Sequence, residues 1–133
     1  MDRGAKELEL TVDCVPNIGF RRRRMKVAGG FLVATATLVL FLTLLARNAS
    51  TPYFVFVAPL ALLAALYFFQ AKERTCVVLA ALKVRELDDA VTKERIAGEW
   101  LVAVQRQARK VWVETLTTTA AITAVAVVIA LLR

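Results

Sequence analysis

The chain contains no histidine, and its only cysteines, Cys14 and Cys76, stand far apart among 133 residues. Without histidine it lacks the commonest metal ligand and the one side chain that ordinarily titrates near neutral pH. Neither cysteine has a second ligand nearby, so zinc, haem and iron-sulfur motifs and a disulfide framework are all unsupported. Proline occurs three times and glycine five, which leaves few punctuation points. Charge is missing from three long stretches, Val27 to Ala46, Tyr53 to Ala71 and Thr115 to Leu132. Catalysis, proton relay and ion conduction at membrane depth rely on ionisable groups inside the spans. No catalytic residue, metal or cofactor is therefore expected, and the protein does not read as an enzyme.

What is present is apolar. Hydrophobic residues make up 59% of the chain and the mean hydropathy is +0.60, above the usual share for a soluble domain. "VAGGFLVATATLVLFLTLLA", Val27 to Ala46, is long enough for about 30 Å of hydrocarbon. Tyr53 to Ala71 is a second span, with Tyr53 and Tyr67 near its ends as interfacial aromatics and Pro59 expected to kink it. Thr115 to Leu132 is a third, whose threonines can bond back onto their own helix. The first apolar run begins only after residue 26 and lacks a small-residue cleavage site, so it reads as a retained anchor.

The net charge of +7 is placed unevenly. All 18 basic residues except Arg47 and Arg133 precede the first span or lie between the second and third. The positive-inside rule then puts the N-terminus and 72–114 in the cytoplasm, and the loop 47–52 and the C-terminus opposite. Arg21, Arg22, Arg23, Arg24 and Lys26 abut the first span, and Lys110 and Trp112 abut the third. These are expected to meet anionic headgroups at the interface, each basic charge contributing about 1 kcal/mol. Nucleic acid is not an expected partner, because the arginines border lipid rather than a protruding surface. The Asn48-Ala49-Ser50 sequon in the short loop reads as coincidence.

Between the second and third spans the sequence suggests a helical hairpin. One arm continues from Lys72 through Thr75 to about Leu87; the other starts at an N-cap on Asp89 or Thr92 and runs into the third span. Ile96, Trp100, Ala103, Val104, Ala108 and Val111 form an apolar stripe on the second arm. Cys76, Leu79, Ala80, Lys83 and Leu87 fall at comparable spacing on the first. Trp100 is expected to pack within the hairpin, or to be an exposed partner-binding anchor. Before the spans, "ELELTVDCV", Glu7 to Val15, alternates polar and apolar residues as a strand does, with no apparent mate in its own chain, so it is expected either to dock on a partner chain through Leu8, Leu10 and Val12 or to be a loose tail. Each span carries a pair of small residues at helical spacing: Gly30 and Ala34, Ala61 and Ala65, Ala120 and Ala124. Such pairs let helix backbones approach closely.

The expected fold is thus an all-α integral membrane protein of three transmembrane helices with a cytoplasmic helical hairpin and a short extended N-terminal segment. The expected role is a non-catalytic accessory or structural subunit, its partners other integral membrane subunits and the bilayer. In outline, three spans with a cytoplasmic hairpin resemble the membrane insertases related to Oxa1 and YidC, a resemblance that implies passage of hydrophobic segments into the bilayer. Those proteins place the hairpin between their first and second core helices, and their bacterial members use a buried arginine that has no counterpart here. A homo-oligomeric, holin-like pore is a further reading, resting on the Thr115 to Thr123 face. The orientation is open to test with Cys14 and Cys76 replaced by serine. Cysteine introduced as Asp88→Cys should react with an impermeant maleimide only from the cytoplasmic side, and Ala49→Cys only from the opposite side; the reverse pattern would overturn it.

Overall fold

The computed structural model describes residues 17–86 and 93–133. Its elements run α1 (Phe20–Ala46), a 3₁₀ turn (Thr51–Phe56), α2 (Val57–Lys72), α3 (Val77–Ala81), β1 (Val84–Glu86), β2 (Lys93–Arg95) and α4 (Glu99–Leu132). Three helical segments, Phe20–Ala46, Thr51–Lys72 and Glu99–Leu132, are long and apolar enough to cross a membrane. Each contains one of the three expected spans. The segment 7–15, with Leu8, Leu10 and Val12, lies outside the described residues.

α1 and α4 both pack along α2. Accordingly the apolar window of the middle segment is 39% buried, against 6% for α1 and 17% for α4. Small residues make the close approach possible. Ala61, Ala64 and Ala65 of α2 are buried, and a Cβ placed on Gly30 would lie 3.1 Å from the Phe68 ring. Phe31 meets that ring edge-on, with centroids 5.1 Å apart. At the other end Phe54 is fully buried, edge-on to Phe41 and beneath the Arg133 guanidinium at 5.0 Å.

Polar contacts bracket the apolar layer at both ends. At the charged end Lys26 donates to Gln70, Arg23 Nε donates to the Ala71 carbonyl at 2.9 Å, and Lys72 Nζ lies 3.5 Å from Glu114. At the loop end Arg133 donates to the carbonyls of Leu45, at 3.2 Å, and Ala49. From Lys26 to Leu45 along α1, and from Glu114 to Arg133 along α4, the rise is about 28 Å, close to the hydrocarbon thickness of about 30 Å. α4 has 34 residues, so its first four turns extend past this layer.

Each of the first three helices stops at a residue with positive φ: Asn48 (49°) after α1, Arg74 (51°) after α2 and Lys83 (57°) after α3. Ala49 N–H donates to Leu44 O and Asn48 N–H to Leu45 O, while Thr75 N–H donates to Gln70 O, the bonds that close a Schellman ending. Asn48 thus has a conformational role, since asparagine tolerates the left-handed region better than most residues. Pro59 sits in the first turn of α2 rather than at a kink inside a continuous span. Lacking an N–H, it cannot bond back to Val55, and the chain is 3₁₀ up to Phe56.

The expected helical hairpin is where the structure departs most from expectation. The first arm is not one helix: α2 ends at Lys72, and a five-residue helix is followed by β1. β1 pairs antiparallel with β2, Arg85 opposite Glu94, and those side chains form an ion pair at 2.5 Å. The second arm begins at Glu99 with Gly98 as N-cap, at φ 65° and ψ −142°, a conformation suited to glycine. Asp89 and Thr92 lie outside the described residues. The two apolar stripes nevertheless meet: Ala80, Ile96 and Val104 form one buried cluster with Ala103 and Ala108 against it.

The Gly30 contact separates two adjacent glycines. Gly30→Val should destabilise the helical bundle in detergent by about 1–3 kcal/mol through overpacking against Phe68. Gly29→Ala, whose Cβ would meet Tyr67 at an ordinary 3.7 Å, should stay within about 0.5 kcal/mol of wild type. Equal losses in a denaturant titration would contradict this packing.

Candidate functional site

The run of four arginines falls on the first turns of α1, where helical geometry divides it. Arg21 and Arg24 are exposed, and Arg24 lies over the Phe20 ring at 5.6 Å. Arg22 and Arg23 turn inward. Arg22 Nε sits 2.8 and 3.0 Å from the two carboxylate oxygens of Glu86, whose side chain is fully buried. Arg23 reaches the last turn of α2, the negative end of that helix dipole. Lys26, one turn on, bonds Gln70 and lies 5.7 Å from the Tyr67 ring. Lys110 pairs with Glu73 at 3.0 Å. Of the residues expected to meet headgroups, then, Arg22, Arg23, Lys26 and Lys110 also tie α1, α2, β1 and α4 together. Arg21, Arg24 and the 41%-exposed Trp112 remain turned outward.

At the centre of this end stands Asn17, fully buried. Its N–H donates to Arg74 O at 3.2 Å, and its carbonyl accepts from Glu86 N–H at 2.9 Å. The side-chain amide pairs with one peptide unit on each side of Cys76: Nδ2 donates to Cys76 O at 3.0 Å, and Oδ1 accepts from Cys76 N–H at 2.6 Å. Next to it Ile18 is buried with Cys76 and Leu79. Thr75, also fully buried, donates to Gln107 Oε1 at 3.1 Å or to Glu73 O at 2.9 Å. Asn17, Gln70, Thr75, Glu86 and Gln107 were not apparent as candidates from sequence. Gln107 offers the one visible signal, a polar residue on the same helix face as Val104 and Val111.

Trp100 does not pack inside the unit formed by α3, β1, β2 and the start of α4. It is 46% exposed with the Arg85 guanidinium 5.6 Å from its ring. The small-residue pairs divide similarly. Gly30, Ala61 and Ala65 are buried between the chain's own helices, Ala34 is half-buried, and Ala120 and Ala124 are exposed.

Two apolar clefts result. One, about 630 Å³, is lined by Ala58 of α2 and by Thr119, Ala120, Thr123 and Ala124 of α4. The other, about 570 Å³, lies over α2 between α1 and α4, with Ala34, Phe41, Ala61, Ala65, Phe69 and Ala121 among its lining. Of the third span's threonines, Thr117 bonds back to its own helix, as Thr35, Thr37 and Thr43 do on α1. The buried Oγ1 atoms of Thr115, Thr119 and Thr123 have no hydrogen-bond partner among the described residues. They recur every four residues and so share one line along α4. Among the described residues no cluster of three or more histidine, cysteine or acidic side chains is placed to hold a metal ion. Comparison with protein-family models, with curated proteins and with solved structures gave no match.

Removing the Asn17 amide strands both polar groups of Cys76 in a buried site. Asn17→Ala should cost about 2–4 kcal/mol in denaturant unfolding. It should also speed maleimide labelling of Cys76, which is 4% exposed in the folded chain. Unchanged stability together with unchanged labelling would remove Asn17 from the centre of this site.

Proposed function

We propose that the chain is a non-catalytic accessory or structural subunit of a larger membrane protein complex, with its charged end in the cytoplasm. The observation that carries this reading is the face of α4 around Ala120 and Ala124. Of the three small-residue pairs it is the one with both members exposed, and it borders a cleft walled by apolar side chains together with Thr119 and Thr123. In lipid, where apolar surface alone does not bring helices together, exposed small residues mark a face that another helix can approach closely. The hydroxyls of Thr119 and Thr123 lie on the same face without partners among the described residues. An unmet hydroxyl in an apolar setting costs about 1–3 kcal/mol, which a partner helix offering a carbonyl or amide relieves after rotation about χ1. The exposed Trp100, with Arg85 above it, supplies a second contact outside the membrane, of the residue types that dominate binding energy at protein interfaces. The insertase-like reading gains no such support, since the cleft between α1 and α4 carries no charged lining residue.

The test is affinity purification of the tagged chain from its native membrane in mild detergent. A stoichiometric set of larger membrane subunits should accompany it. Ala124→Phe should deplete that set at least tenfold, and Ala121→Phe, on the other cleft, should leave it unchanged. A lone monomer, or a ring made only of this chain, would defeat the proposal.

A further inference from the structure

The second cleft has a different character from the first. Its floor residues Ala61, Ala64 and Ala65 are only 2–6% exposed, already closed over by the chain's own helices. On that floor no accessible small surface remains for a helix backbone to approach. What remains is an apolar slot whose rims, Leu38, Ile122, Val125 and Ile129, are between 39% and 58% exposed. Along α2 it runs from Val57 to Phe69, about 18 Å, while half the hydrocarbon layer is about 15 Å. The slot therefore has the length and chemistry of a single acyl chain in one leaflet.

Its charged end is basic. Lys72 Nζ stands 5.7 Å from the Phe69 ring that lines the slot, and the lysine side chain is 59% exposed. Its carboxylate neighbours, Glu114 and Glu73, are at 3.5 and 3.7 Å, beyond a short charge-assisted hydrogen bond. Arg23 precedes Ala34 by about three turns of α1, on the same helical line as that lining residue. We propose that the slot holds one acyl chain of an anionic phospholipid, its headgroup phosphate resting on Lys72 and Arg23. This rests on the three helices spanning a bilayer and is independent of the subunit contact at Ala124.

The experiment uses the full chain purified in detergent and exchanged into mixed micelles of phosphatidylglycerol or phosphatidylcholine with identical acyl chains. Retained lipid is then counted by native mass spectrometry. One phosphatidylglycerol per chain should survive, retained about thirtyfold better than phosphatidylcholine, the ratio for two basic contacts of about 1 kcal/mol each. Lys72→Gln should lower phosphatidylglycerol to about fivefold above the phosphatidylcholine level and leave phosphatidylcholine unchanged. Ala121→Phe, which fills the slot from an exposed position, should remove both lipids while circular dichroism stays helical. Ala124→Phe should retain lipid as wild type does, so failure of the subunit contact and failure of the lipid site give different patterns. Equal retention of the two lipids by wild type would overturn the proposal. So would wild-type retention by Ala121→Phe, or a cross-link from position 121 to a transmembrane helix of another subunit.

Discussion

A helix that ends at the border of an apolar layer leaves its last carbonyls without helical partners, and the way α2 meets this constraint organises the whole charged end. Thr75 N–H turns back to Gln70 O, and the Arg23 guanidinium takes Ala71 O. The first bond bends the chain sharply after Lys72, through Arg74 in a left-handed conformation, and so brings Thr75 and Cys76 back against the bundle. The second draws the start of α1 onto the end of α2. Where these two meet, Asn17 fits between Arg74, Cys76 and Glu86, satisfying its own backbone while closing theirs. The negative end of the α2 dipole is thereby surrounded by Arg23, Lys26, Lys72 and Lys110, which is where helix electrostatics favours positive charge.

The same arrangement explains how a strongly basic segment is accommodated. A buried carboxylate such as Glu86 is tolerated only with a cation against it, and Arg22 provides one. Arg22 is committed to Glu86 and Arg23 is tied through its Nε to Ala71 O, whereas Arg21 and Arg24 lie on the opposite side of α1, left to the surroundings. One run thus combines bundle closure with surface charge. α4 shows a parallel division. Val104, Val111 and Thr115 are fully buried, while Ala120 and Ala124 face outward.

Much of the helical content was legible because its signal is local. Twenty or so uncharged residues in succession have one favourable structure in an apolar medium, an α-helix with every backbone bond satisfied internally. Gly30, Ala61 and Ala65 were legible for the same reason, since spacing alone puts small side chains on one face. The region 72–98 was not. Arg74 and Lys83 have ordinary helix propensity, and nothing in their identity announces left-handed helix endings. "VRE" and "KER" carry little strand propensity, and they pair because the chain ends before and after them are held in place. Asn17 and Thr75 look like loop residues until the segments they bond are brought together across more than fifty positions of sequence in one case and about thirty in the other.

The sequence by itself determined three apolar helical segments of sufficient length to cross a membrane and the gathering of nearly all basic charge at one end. Both follow from composition read along the chain, because hydrophobic length and charge position are properties of the segments themselves. Only the tertiary structure decided which arginines turn inward, which small residues are used up in packing, and that a pair of antiparallel strands stands where the two helical arms were expected to meet. Those outcomes depend on partners distant in sequence. A buried carboxylate, an open carbonyl or a facing ring gives a residue its role only once folding has placed the two side by side.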